Sequence, residues 1–267
     1  MTVIASGTDL IPRMRKRQIA PSVLVDISSF QDDLRYIRQS DQVVRLGALA
    51  TLTDVLESPV FKDELSILHE AAGLFGAPQV RNVATVGGNV CSATSSEDLI
   101  PVFMALGASL KLIGAEGERI TPLKEFIVGK RTTAMRSSEI LAEIQFEYPR
   151  ERSWTGFEKL GRRNMLFISL VSMALSLSLE KDFAVRSARV ALNRVAGRIP
   201  DLAEKTEDFL VGRKLSEETI AQAQTVLASE LALTSDFRGS ATYRTEVAKV
   251  FLKRLLQRCY GKIRGLA

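Results

Sequence analysis

Residues 82–89 read Asn-Val-Ala-Thr-Val-Gly-Gly-Asn, and the glycine pair at their centre is the strongest local constraint on the fold. Gly87 and Gly88 lack a Cβ, so the backbone is free to adopt φ > 0 and to pass very close to another group. Thr85 and Asn89 flank this bare backbone with one hydroxyl and one amide. A loop of that composition suits a polar, phosphate-bearing ligand held by main-chain N–H groups. It follows residues 63–75, where Leu65, Leu68, Ala72 and Phe75 recur at helical spacing. A second glycine turn stands near the start. Residues 2–5 are short and β-prone, Ser6-Gly7-Thr8 turns the chain, and residues 9–16 suit a helix. Pro12 is tolerable there because a helix's first turn has spare N–H groups. The order strand, glycine turn, helix gathers free donors and a positive helix end in one place.

The intervening stretches 23–27 and 43–46 read as strands and 53–57 as a helix. Ser96-Glu97-Asp98 offers capping side chains to a helix over 99–106. Residues 109–113, 118–121 and 140–148 alternate as strands do. Pro149-Arg150-Glu151-Arg152, a proline in a charged stretch, is the best boundary, dividing the chain into 1–149 and 150–267. Beyond it, 155–160, 168–179 and 188–195 read as three strands, and 201–210, 216–231 and 243–260 as helices. Ser216-Glu217-Glu218-Thr219 starts its helix with a hydroxyl and carboxylates, which the helix dipole favours.

Composition excludes several classes. At 267 residues, with 46% apolar and 25% charged, the chain has the make-up of an ordinary globular protein. Its apolar stretches are too interrupted to span a membrane, and residues 1–10 lack a basic secretory start, so the cytoplasm is expected by default. Cys91 and Cys259 supply neither a disulfide framework nor an iron–sulfur site, and Cys91 reads as a buried inert thiol. His69 is the single histidine, which argues against a histidine metal site and a hydrolytic triad. The net charge is +5, densest at Arg13-Met14-Arg15-Lys16-Arg17. That run reads as a solvated face or a docking surface for an acidic group; no nucleic-acid-binding module accompanies it.

The two loops together carry a resemblance. Thr85-Val86-Gly87-Gly88-Asn89, with Asp98 nine residues on, resembles the second flavin-binding loop of the FAD-binding medium subunits of molybdenum hydroxylases (the xanthine dehydrogenase, carbon monoxide dehydrogenase and aldehyde oxidoreductase type). Ala5-Ser6-Gly7-Thr8-Asp9-Leu10, led into by Val3 and Ile4, is similar to the first FAD loop, with Ser6 where glycine is common. Phe75 matches a flavin-contacting aromatic, Ser92 a hydroxyl position and Leu141 an apolar flavin contact. Asp98 matches the acidic residue before an apolar-Pro pair, and serves as a helix cap, a hydroxyl contact or both. Phe157 to Arg163 resembles the loop that opens the second domain. The family's FAD-contacting lysine follows that phenylalanine directly, where this chain has Glu158 and then Lys159. Members carry a longer strand-and-helix segment before the first loop, so this chain is either truncated or has a minimal first subdomain lacking a covering helix.

The resemblance implies an α+β fold: a PCMH-type, vanillyl-alcohol oxidase-like pair of FAD-binding subdomains, then a three-stranded antiparallel sheet with a helical bundle. It implies an electron-transfer subunit holding FAD without a covalent link, since neither loop contains histidine. Its expected partners are a large molybdopterin-binding subunit, a small subunit with [2Fe–2S] clusters and an electron acceptor. Binding residues are expected, with no catalytic acid or base and no metal ligand in this chain. Arg13–Arg17 and Arg162-Arg163 are the candidate docking charges, and Arg162 and Arg163 also stand as candidates beside the electron exit or as solvated surface. The rivals are a self-sufficient flavin oxidoreductase, which needs a pocket rich in Tyr, His or Arg, and a degenerate subunit without enzymatic function.

Overall fold

The computed structural model describes residues 2–62, 65–149, 152–161, 168–193 and 201–266. Strand β1 (Thr2–Ile4) runs parallel to β2 (Leu24–Asp26), and α1 (Leu10–Arg15) is their crossover. After α2 (Gln31–Leu34) come the hairpin strands β3 (Ile37–Ser40) and β4 (Val43–Gly47). The chain then leaves the sheet for α3 (Leu52–Glu57), α4 (Ser66–Gly73), α5 (Pro78–Arg81), α6 (Val86–Ser92) and α7 (Leu99–Ala105). It returns through β5 (Ser109–Gly114), β6 (Gly117–Pro122), α8 (Leu123–Phe126), a small hairpin of β7 (Ile127–Gly129) and β8 (Thr132–Thr133), and β9 (Glu139–Glu147). The resulting antiparallel sheet has the order β3-β4-β9-β5-β6. Its central strand, β9, buries Leu141, Ala142, Ile144 and Phe146 on both faces, as a strand with neighbours on each side and layers above and below requires.

The remaining chain forms β10 (Ser153–Leu160), β11 (Val171–Leu179), β12 (Val185–Asn193) and β13 (Asp201–Leu202), followed by α9 (Glu204–Leu210), α10 (Glu217–Glu230) and α11 (Ala241–Leu266). Alternation decides which face meets what. Val171, Met173, Leu175, Leu177 and Leu179 share a core with Leu210, Ile220, Leu227 and Leu252 of the three helices. Ala174 and Ala191 point the other way and join Phe157 in the core of the first part of the chain. Their small side chains let α7 lie close: all seven of its residues are buried, and Phe103 stacks obliquely on Phe146 of β9 at 6.3 Å. Helix α7 is therefore the shared filling between the two sheets.

Four expectations change. The C-terminal sheet has a fourth, two-residue strand, because Asp201 and Leu202 pair with β12 before the helix begins at Glu204. The Asp201 carboxylate accepts its neighbour's N–H from Leu202 at 3.0 Å, and Ala203 donates to the Val190 carbonyl at 2.8 Å, which holds this stretch extended. The glycine pair lies inside α6, not in a loop, and neither glycine has positive φ. Asp98 stands at the N-cap position just before α7 but its side chain makes no capping bond, the carboxylate being taken by Lys159. Finally, the helix expected over 63–75 begins at Ser66, with residues 63 and 64 outside the described residues. The boundary residues Arg150 and Glu151 and the arginines Arg162 and Arg163 also lie outside them.

Candidate functional site

Both glycine segments open on one cavity of about 580 Å³, within the usual range for a small-molecule site. Its wall includes Thr2 to Leu10, Arg13, Ala48 and Leu49 just past β4, Phe75, residues 84–92 in part, Glu97 and residues 135–141 in part. Every expected site residue except two is on this wall: Val3, Ile4, Ala5, Ser6, Gly7, Thr8, Asp9, Leu10, Phe75, Thr85, Gly87, Gly88, Asn89, Ser92 and Leu141. Asp98 and Lys159 do not line it. They form a buried ion pair at 2.6 Å, and the Lys159 ammonium also donates to the Leu74 carbonyl at 2.9 Å.

Local chemistry explains the first loop. Gly7 has φ +74°, a conformation side chains rarely adopt, and a Cβ there would lie 2.6 Å from the Ile11 Cδ1. This turn lets Ile11 donate to the Gly7 carbonyl at 2.9 Å and start α1; with Pro12 lacking an N–H, Leu10 is the donor of that first turn left without a backbone partner among the described residues. Asp9 fixes the loop to the β7–β8 hairpin through a two-bond pair with Arg131 at 2.8 and 3.1 Å. Burial works to raise the Asp9 carboxyl, but Arg131 and Arg13 hold it below the ordinary carboxylate range. The Arg131 N–H in turn donates to the Ala93 carbonyl at 2.7 Å, at the end of α6. One hairpin thus clamps both glycine segments.

The second segment works differently from its sequence expectation. Thr85 caps α6, its Oγ1 accepting from the Gly88 N–H at 3.0 Å. Val86 and Gly87 donate to the Ala50 and Ala48 carbonyls at 2.8 and 2.9 Å, and Asn89 to the Thr85 carbonyl at 3.0 Å. These N–H groups are already engaged, so the segment presents bare Cα surface, not donors, to a ligand. Gly87 is there for packing: a Cβ would sit 2.7 Å from the Ala48 Cβ and carbonyl oxygen. Gly88 is exposed, and a Cβ would meet only the Thr85 Oγ1 at 2.8 Å.

A polar cluster closes the α6 side. The Asn89 amide donates to Glu97, whose other oxygen accepts from Thr94 Oγ1 at 2.8 Å. The Asn89 Oδ1 is buried and has no partner among the described residues, which leaves an acceptor available at the wall. Burial pushes Glu97 up to about 7 and Asp98 up to about 6, the latter against the pull of Lys159. Burial likewise raises the Cys91 thiol to about 12, so it stays a neutral thiol near neutral pH. Ser92 Oγ donates to the Asn89 carbonyl at 2.9 Å.

Sequence reading missed the segment Met135 to Ile140 and the residues Ile27, Ala48, Leu49 and Val80. Arg136-Ser137-Ser138-Glu139 carries the only usable signal, a polar turn before a strand; the others reach the cavity only through tertiary packing. Glu97 was legible as a cap and not as a wall residue. Among the described residues no cluster suited to a metal ion is present, and no helix is long and apolar enough to cross a membrane.

Comparison with known proteins bears on this geometry. The pattern defining the FAD binding domain in molybdopterin dehydrogenase matches residues 1–148, and that of the CO dehydrogenase flavoprotein C-terminal domain matches residues 155–259. The nicotinate dehydrogenase FAD-subunit of Eubacterium barkeri is 29% identical over 98% of this chain and 89% of its own length. The glyceraldehyde dehydrogenase medium chain of Sulfolobus acidocaldarius is 31% identical over 92% of this chain and 86% of its own. Among solved structures, a chain of the carbon monoxide dehydrogenase from Hydrogenophaga pseudoflava superposes with a TM-score of 0.91 at 29% identity, covering 97% of this chain and 89% of that one.

Proposed function

Since the chain belongs to the FAD-binding medium subunits of the molybdenum hydroxylase oxidoreductases, we propose that it holds FAD in the cavity between its two glycine segments as the electron-transfer subunit of such a complex. The observation that carries the assignment is the convergence of both segments on one cavity, with the bare Gly88 surface and the unpartnered Asn89 Oδ1 on its wall. Held there, FAD would supply the redox chemistry linking [2Fe–2S] clusters of a small partner subunit to an external acceptor, with substrate oxidation left to a large molybdopterin-binding subunit.

This chain's residues place and surround the cofactor. The backbone N–H groups of residues 7–10, which make no backbone bond among the described residues, are the donors offered to a diphosphate, with Ser6, Thr8 and Arg13 beside them. Gly88 permits close approach, and Phe75 and Leu141 give apolar contact. Asp98 and Lys159 act from behind the wall by fixing β10 against α4 and α7. Residues 1–149 form the FAD-binding domain in this reading and residues 150–267 the second domain, in a cytoplasmic complex. A self-sufficient oxidoreductase is disfavoured, because among the described residues the cavity wall carries neither histidine nor tyrosine and, of the arginines, Arg13 and Arg136 alone.

The test is purification of the chain with its two expected partners. Bound flavin should be released completely by acid, as FAD. Flavin retained in the precipitate would refute non-covalent binding, and a complex that neither carries nor accepts FAD would refute the assignment.

A further inference from the structure

We propose that Glu97 makes the filling of this cavity proton-linked: a diphosphate-bearing ligand enters with one proton taken up from solvent onto the Glu97 carboxyl. The inference rests on the FAD reading above and concerns a residue that reading does not use.

The geometry points to Glu97 because it is the wall carboxylate without a cation. Asp9 is held by Arg131 and Arg13, and Glu139 by Arg119 at 2.7 and 2.8 Å. Glu97 has only neutral hydrogen-bond partners, the Asn89 amide and the Thr94 and Ser92 hydroxyls; among the described residues no ion pair reaches it. The neighbouring cations are committed, Arg131 to Asp9 and Lys159 to Asp98. An anionic ligand in the same cavity therefore meets a buried negative charge across a low-dielectric space, where like charges repel far more than in water. Protonation removes the repulsion and leaves the carboxyl able to keep its bond from Thr94 or donate one to the vacant Asn89 Oδ1.

Burial already holds this carboxyl up at about 7, so proton uptake falls in an accessible range. The groups facing it are Asp98 beside it, Cys91 in α6, Asp9 and Arg13 from the first loop and α1, Arg131 from the hairpin, and Arg136 and Glu139 before β9. Of these, Asp9 and Glu139 lie below their ordinary values, Glu139 at about 2, Cys91 lies at about 12, and arginines stay charged. Only Asp98, at about 6, titrates near Glu97. A substitution at Glu97 separates the two.

The sign follows from linkage. A ligand that prefers the protonated carboxyl raises its pKa, takes up protons on binding and loses affinity as pH rises through the free value. The experiment titrates FAD into the flavin-free full-length chain from about pH 6 to about pH 8.5 and follows flavin fluorescence, with Kd expected to rise up to about tenfold per unit above about pH 7. Calorimetry in buffers of different ionisation heat counts protons directly. The wild type should take up close to one proton above the Glu97 range, and Glu97→Gln should bind with a nearly flat pH profile and no uptake. A wild-type Kd independent of pH, or the same slope in Glu97→Gln, overturns the proposal alone. Failure of FAD to bind at every pH overturns the underlying reading and this inference with it. If Glu97→Gln does not fold, Glu97→Ala takes its place, and a wild-type proton count near zero overturns the proposal without any variant.

Discussion

Adjacent in sequence, Gly87 and Gly88 meet different surroundings, and substitution should separate them. A methyl at Gly87 collides with Ala48 backbone at 2.7 Å, which cannot yield cheaply. Gly87→Ala should lower unfolding stability by about 1–3 kcal/mol, as overpacking does. Gly88→Ala disturbs only the Thr85 cap and should cost no more than about 1 kcal/mol, while weakening FAD binding because the methyl projects from the cavity wall. Urea unfolding and flavin titration of both variants check this; equal effects on both measurements would contradict the packing described. Lys159 gives a second case. Its side chain is 1% exposed and its removal leaves Asp98 buried with no cation. Lys159→Met should cost about 3–5 kcal/mol, and adding Asp98→Asn should recover part of it. A loss below about 1 kcal/mol would mean the pair behaves as a solvated one. The sequence marked both residues, but as contacts of a ligand; only the folded chain pairs them with each other.

The hairpin of β7 and β8 was invisible as a functional element, because two short strands with no motif give no local signal. It matters through Arg131, which reaches the first loop at Asp9 from 122 residues away. The pair is about one-third exposed on each side, so Arg131→Ala should change stability by less than about 1 kcal/mol. It should nonetheless speed amide hydrogen exchange across residues 5–10, read by mass spectrometry. Unchanged exchange there would show that the loop holds itself. Strand β11 was legible in full contrast, since Val-Ser-Met-Ala-Leu-Ser-Leu-Ser-Leu alternates strictly and each face found its own core. Helix α6 was not. Two glycines lower helix propensity by about 1 kcal/mol each, and the helix forms because Thr85 caps it and Ala48 and Ala50 bind its first N–H groups. Thr85 is adjacent, but Ala48 and Ala50 lie more than 30 residues away, beyond any local reading.

At the scale of the whole molecule, burial raises three carboxyls among the described residues: Glu97 and Glu207 to about 7 and Asp98 to about 6. The folded state binds these protons more tightly than the unfolded chain. Their contribution is therefore complete below about pH 4, the unfolded carboxyl range, and is lost as pH rises to about 7. Arg119 acts oppositely on Glu139, holding it at about 2, so that contribution is present above the unfolded range and lost only in acid. The thermal midpoint should accordingly fall between about pH 5 and about pH 8, and Glu97→Gln with Glu207→Gln should flatten the decline. A midpoint that rises over this interval would contradict the burial of these groups. The sequence alone determined most of the longer strands and helices, the two glycine segments, the family resemblance and the alternating faces of the C-terminal sheet, because periodicity and backbone freedom are local properties. Tertiary structure alone decided that the second glycine segment is a helix with its donors engaged, that Asp98 turns to Lys159, and that Glu97 faces the cavity uncompensated. Each of these depends on which distant group arrives to satisfy a hydrogen bond or a charge, and no window of neighbouring residues contains that partner.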